Sequence, residues 1–203
     1  MKKITFIRHC LLEPPYNDYS RLTFNRISGL AIDRISPNIH PESQKLLLEK
    51  FDYKKLKSFD LILCSHSKRT KQTAELFRKF ANKNQEIRVL PELSEISFNP
   101  KALTTQKEFI KQGLGVIRTS LFHGMKNGQG AESLDAVLLR AQKLKDELLE
   151  LPFNNILCVT HSFYMRVLRL FFLEKLTKSC DISELKLINT TDHHHLEGFE
   201  VNI

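Results

Sequence analysis

Three apolar runs that each end on a cation-capable side chain constrain this chain more than any other feature. Lys3–Ile7 alternates as a strand does and stops on Arg8-His9. "DLILC", Asp60–Cys64, is a short continuous apolar run of the buried-strand type, leading into Ser65-His66 with Arg69 in the following turn. "NILCVT", Asn155–Thr160, is a second such run and ends on His161. Helical periods separate them. Ser67–Lys83 carries Ala74, Phe77 and Ala81 on one stripe, and Ser133–Leu151 repeats Leu134, Val137, Leu138, Ala141, Leu144 and Leu148 at helical steps until Pro152 stops it. Pro41–Phe51 and Tyr164–Leu173 also read as helices; Ile87–Leu90, Leu185–Ile188 and Phe199–Ile203 read as further strands. Such alternation predicts an α/β fold, a three-layer sandwich with helices flanking a mostly parallel central sheet.

A length of 203 residues fits one domain over 1–203. Within it, Phe98–Gly130 has weak periodicity and reads as an insertion or lid. No run approaches membrane-spanning length, and Arg8 and His9 interrupt the only apolar stretch near the N-terminus, so the sequence predicts a cytoplasmic protein with no membrane partner. Cys10, Cys64, Cys158 and Cys180 form no CxxC pair; Cys64 and Cys158 sit in strand runs as buried thiols, and disulfides are not expected. The formal charge of +8 is spread through helical segments, which fits a solvated basic face and argues against a nucleic-acid partner.

In a sheet of this kind ligands bind beyond the carboxyl ends of the strands. If the three runs are parallel neighbours, the imidazoles of His9 and His161 and the guanidiniums of Arg8 and Arg69 converge. Like charges about 4 Å apart repel by roughly 4 kcal/mol at an effective dielectric near 20. A bound dianion relieves that repulsion, and phosphate suits the bidentate grip of arginine. The guanidiniums also disfavour imidazolium, and a neutral imidazole keeps a lone pair able to attack phosphorus. A leaving-group acid is then needed, and "PELSEISF" offers both Glu92 and Glu95.

These residues resemble those of the histidine phosphatase superfamily, also called phosphoglycerate mutase-like. "FIRHC" resembles its RHG signature, and "LILCSHSKRTKQTAEL" its strand followed by S-x-x-x-R-x-x-Q-T-A. "PELSEISF", "GAESLDAVLLR" and "ILCVTHSFYMRVL" resemble, in family order, its L-x-E segment, G-E-S helix start and final histidine strand. "NRISGLAID", Asn25–Asp33, resembles its N-R-x-T-G-x-x-D loop. The resemblance implies a phosphoglycerate mutase-like fold and a cofactor-independent phosphomonoesterase that uses no metal. It makes His9 the nucleophile that becomes phosphohistidine, Arg8 and Arg69 the grip on the phosphoryl oxygens, and His161 a donor to the same oxygens. Glu95 becomes the proton donor, later activating water. Ser28 and Gly29 would line the substrate mouth, and Asn17 would contact phosphate. A phosphorylated small molecule is the implied partner.

The chain departs from the family pattern where Cys10 replaces the glycine after Arg-His, and where Ser162-Phe163 follows the last histidine. A glycine needed for positive φ would make Cys10 a poor substitute. Three alternatives therefore stand beside hydrolysis: phosphoglycerate mutase-type transfer, a weakly active or inactive phosphate- or phosphoprotein-binding member, and nucleic-acid binding through the basic charge. A homodimer is compatible with all of them. His66 reads as a bystander. His193-His194-His195 reads as a surface loop and not a metal site, because neighbouring residues on an extended chain point to opposite faces.

Overall fold

The computed structural model describes residues 1–16, 18, 22–31, 34–82, 84–173, 176 and 193–203. The apolar runs become strands β1 (Lys3–Arg8), β2 (Leu61–Cys64), β3 (Ile87–Val89) and β4 (Asn155–Thr160), with a last strand β5 (Gly198–Asn202). They form one sheet in the order β3-β2-β4-β1-β5. The pairs β1–β4, β2–β4 and β2–β3 are parallel, and β5 runs antiparallel to β1 at the edge. The α/β reading with a mostly parallel sheet therefore holds. Asn17, Asp33 and the strand expected at 185–188 lie outside the described residues.

The pleat divides the side chains between two cores. Ile4, Phe6, Leu61, Leu63, Ile156 and Cys158 face one side of the sheet, and Ile7, Ile62, Cys64, Leu157 and Val159 face the other. Both faces are apolar because helices cover both, which is why β2 and β4 read as unbroken apolar runs. Helices α2 (Ser43–Lys50), α3 (Tyr53–Ser58) and α4 (Lys68–Phe80) supply Leu47, Leu56, Ala74 and Phe77 to the second core. Helices α8 (Leu134–Glu150) and α9 (Ser162–Phe172) supply Val137, Leu144, Val167 and Leu168 to the first. Capping fixes where the two long helices start. The hydroxyls of Ser67 and Ser133 accept from the amides of Thr70 and Ala136 at 3.4 and 3.2 Å. At the start of β5, Gly198 admits no side chain, since an added Cβ would lie 1.7 Å from the Phe6 carbonyl oxygen.

Two segments differ from the sequence expectation. Of the Asn25–Asp33 stretch, which the resemblance implies is a loop, residues 25–31 belong to helix α1 (Phe24–Ala31), held because Phe24 and Ile27 are buried and the Phe24 ring meets Phe109 at 5.4 Å. The weakly periodic 98–130 region forms α5 (Pro100–Leu103), α6 (Gln106–Gln112) and α7 (Leu114–Asn127). Thr105 and Glu108 close a capping box at the start of α6, and Gly113, at φ 62°, breaks α6 from α7. These short helices blur the single long period that a sequence window detects. Among the described residues no helix is long and apolar enough to cross a membrane.

Candidate active site

The register of β1 on β4 sets Arg8 opposite Thr160, and the amide of His9 donates to the Thr160 carbonyl at 3.0 Å. One step further, the rings of His9 and His161 meet edge to face, with centroids 5.5 Å apart. They open on a cavity of about 650 Å³ whose wall also includes Arg8, Arg69 and Glu95. The strand ends thus bring together the five residues that the resemblance implies as catalytic.

His9 is buried, and its Nδ1 lies 2.8 Å from the carbonyl oxygen of Cys10. A carbonyl only accepts, so Nδ1 carries the proton and Nε2 keeps its lone pair. Burial, reinforced by Arg69, Arg8 and His161, holds this imidazole well below its usual pKa. His161 is pushed the same way by burial and by Arg69, His66 and Arg8. Its Nε2 lies 2.8 Å from the Ser65 hydroxyl, while its buried Nδ1 has no hydrogen-bond partner among the described residues. Ser65 is itself held 2.8 Å from the Thr70 hydroxyl, whose oxygen lies 3.0 and 2.9 Å from the Ser65 and Ser67 carbonyl oxygens. The sequence reading missed this hydroxyl relay. Its trace is the polar run Ser65, Ser67, Thr70 directly after a buried strand.

The two glutamates separate. Glu95 sits in the cavity wall, its Oε1 accepting from the amides of Ile96 and Tyr164 at 3.0 and 2.8 Å, and Oε2 from Phe163 at 3.2 Å. Burial raises its pKa in spite of those three amides and Arg69. Glu92 is turned to α8 instead, where its carboxylate pairs with Lys143. Burial acts to raise the Glu92 pKa, but Lys143 and neighbouring donors outweigh it and hold the pKa low.

Ser28 and Gly29 do not line the cavity, contrary to expectation; Ile27, Leu30 and Ala31 of α1 do. The helical turn carries Ser28 and Gly29 round to buried positions, and Gly29 packs so closely on Ile35 that an added Cβ would lie 2.5 Å from its side chain. His66, expected to be a bystander, stands in the wall with Nδ1 2.9 Å from the Ser94 hydroxyl. The surface-loop expectation for His193–His195 is also corrected. His193 is buried and its carbonyl accepts from the Arg8 guanidinium at 2.8 Å, while His195 Nδ1 lies 3.0 Å from the His9 carbonyl oxygen. A turn at Leu196, too far along the chain for local pattern to foretell, folds this segment back onto β1.

Cys10 is accommodated without strain. Its backbone is not at positive φ, its amide donates to the Thr73 hydroxyl at 3.0 Å, and its side chain packs in the core with Ile7 and Leu47. Burial pushes its thiol up to about 11. Among the described residues no group of three or more His, Cys, Asp or Glu side chains is arranged to hold a metal ion.

Comparison with known proteins bears on the family and the fold. A family model described as histidine phosphatase superfamily (branch 1) matches residues 44–191. A phosphoserine phosphatase of Entamoeba histolytica, solved with phosphoserine, superposes with a TM-score of 0.65 at 18% identity, covering 97% of this chain and 88% of its own. A mycobacterial glucosyl-3-phosphoglycerate phosphatase gives 0.64 at 16% identity, covering 96% and 87%. The alpha-ribazole phosphatase of Shigella flexneri gives 0.61 at 18%, covering 95% and 86%. At these identities the likeness is one of fold. No curated protein matches the chain in sequence.

Proposed function

The chain belongs to the histidine phosphatase superfamily, branch 1, and from that premise we propose that it is a cofactor-independent phosphomonoesterase acting on a phosphorylated small molecule through phosphohistidine. One observation carries the reading: the proton of His9 is committed to the Cys10 carbonyl, so the bare Nε2 belongs to a cavity that also holds two guanidiniums and a carboxyl of raised pKa.

Arg8 and Arg69 grip the phosphoryl oxygens and hold phosphorus in line with His9 Nε2. His161, whose Nε2 accepts from the Ser65 hydroxyl so that its proton is on Nδ1, donates Nδ1–H to one of the same oxygens and stabilises charge in the transition state. Nε2 attacks phosphorus and the ester P–O bond breaks. The leaving oxygen takes the proton of Glu95, whose burial raises its pKa and so favours the protonated form. Glu95, now carboxylate, removes a proton from water, and the hydroxide attacks the phosphohistidine. Phosphate departs and both groups return to their starting states. The helices over 100–127, whose Leu114 and Ile117 reach the cavity, serve as the cover over the leaving group.

Hydrolysis is favoured over mutase-type retention by the relatives of like fold, which are named as phosphatases. It is favoured over mere phosphate binding by the unstrained accommodation of Cys10. The test is phosphate release from an aryl phosphate and a panel of phosphomonoesters by the purified protein. Release is expected, with His9→Ala slower by about 10³-fold or more. Absence of release from every ester, or undiminished turnover by His9→Ala, overturns the reading. Isomerised substrate in place of free phosphate selects the mutase.

A further inference from the structure

The antiparallel register of β5 on β1 pairs Ile7 with Gly198 and stops there. Beyond it the ladder is irregular: the Arg8 amide donates to the Glu197 carbonyl at 2.9 Å, but the Arg8 carbonyl accepts from Leu196 at 3.1 Å. The Glu197 amide turns away to the His194 carbonyl at 3.0 Å. Leu196 makes this turn at φ 61°, and among the described residues it is the non-glycine residue in the left-handed region. Such a conformation persists in leucine only where its surroundings hold it, and Leu196 is buried in the core with Ile7 and Cys10. The consequence falls on His9. Among the described residues no backbone amide of the incoming chain reaches its carbonyl, and the side chain of His195 takes that place, with Nδ1 at 3.0 Å. The His195 ring lies beside the His9 ring, centroids 5.4 Å apart.

We propose that His195 is a positioning residue for the nucleophile: its imidazole Nδ1–H, presented by the strained turn at Leu196, fixes the peptide of His9 and so the aim of Nε2. The same turn presents the His193 carbonyl to the Arg8 guanidinium at 2.8 Å, so nucleophile and phosphate grip share one support. Burial and the nearby Arg8 charge, only partly offset by the hydrogen bond to His9, bring the His195 pKa down to about 4. The imidazole is therefore neutral across the working range, and with a carbonyl beside Nδ1 its proton is on that nitrogen. Two of the three histidines that read as solvent-facing loop, His193 and His195, thus support the site from behind. The inference rests on His9 being the nucleophile.

The experiment compares His195→Ala and His195→Asn with wild type and His9→Ala, using an aryl phosphate. The amide nitrogen of asparagine occupies the position of imidazole Nδ1, so it retains the donor without the ring. We expect His195→Ala to lower kcat about tenfold, the loss of one hydrogen bond in reach (~1.4 kcal/mol), with KM within about twofold. His195→Asn is expected to recover kcat to within about threefold of wild type. An alanine variant with wild-type kcat, or an asparagine variant as slow as alanine, overturns the proposal. If the alanine variant fails to fold, the asparagine variant decides alone: kcat within about threefold of wild type supports the proposal, and a loss of about tenfold or more overturns it. His9→Ala with full activity would instead remove the nucleophile reading beneath it, which the His195 variants alone do not address.

Discussion

Oε1 of Glu95 lies 2.8 Å from the amide nitrogen of Tyr164, so the carboxyl in the cavity wall is held by the first turn of the helix that His161 caps. Acid and second imidazole are in this way mounted on a single element. An N-terminal turn ordinarily favours carboxylate, yet burial raises the Glu95 pKa beyond what the three amides and Arg69 take back. His9 moves the opposite way, driven down by burial and the two guanidiniums. Catalysis needs Glu95 protonated and His9 neutral. The pH profile of kcat/KM is therefore expected to be a bell, falling on the acid side as His9 gains a proton and on the alkaline side as Glu95 loses one. Its alkaline limb lies above the ordinary carboxylate range. A profile measured on Glu95→Gln should lose that alkaline limb; if the limb persists unchanged, another group is the acid.

Glu92 provides the control. It is three residues away and carries the same side chain, but it pairs with Lys143 on α8 and has no place in the cavity wall. Glu95→Gln is expected to lower kcat on an alkyl phosphate by about 10²–10⁴-fold, the usual contribution of a general acid. Glu92→Gln should leave kcat within about twofold. Steady-state kinetics on the two variants check this, and equal losses would mean that the separation of the two carboxyls has no catalytic meaning.

The pair of glutamates also illustrates what the sequence could and could not disclose. Both lie in a short turn after β3, where no period tells which faces the site; only the docking of α9 decides it. The strand ends were legible because Arg8-His9, Ser65-His66 and His161 each interrupt an apolar run, and a buried run cannot continue through such groups without a ligand or a surface. The strands β2 and β4 were legible for the same reason, being apolar on both faces. Helix α1 was hidden because its burial depends on Phe109, far along the chain. The His195 contact was hidden because it bridges 186 residues of sequence and turns on a left-handed leucine.

Stability should record the buried imidazoles. The pKa values of His9 and His161 lie well below the ordinary 6.5 in the folded chain, so the unfolded chain binds more protons as pH falls below that value. Stability from these groups is fully present above about 6.5 and is lost progressively toward their folded pKa values. Each contributes a slope of up to about 1.4 kcal/mol per pH unit in that window. Denaturant unfolding between pH 7 and 5 should show stability falling with pH, and His161→Asn should flatten the slope by up to one proton. An unaltered slope in that variant would mean that His161 titrates in the folded protein as it does in the unfolded chain.

Beyond its cationic end the cavity is bounded by Leu12, Ile27, Leu30, Phe98, Leu114 and Phe163, with Arg118, Glu132 and Arg140 also in its wall. The six apolar side chains offer a charged leaving group only the cost of desolvating it. A bulky apolar leaving group instead gains roughly 25 cal/mol for each Å² it buries, so about 60 Å² of contact is worth ~1.5 kcal/mol, or tenfold in kcat/KM. Naphthyl phosphate is therefore expected to exceed phosphoserine in kcat/KM by about tenfold or more. Aryl phosphates also have better leaving groups, so the comparison needs an internal control, and Leu114→Asp supplies it. Leu114 is half-buried at the start of α7 and lines the cavity. The variant should lower kcat/KM for naphthyl phosphate about tenfold while leaving phenyl phosphate, too small to reach the far wall, within about threefold. Equal losses on both esters, or none on either, would show that the apolar wall does not read the leaving group.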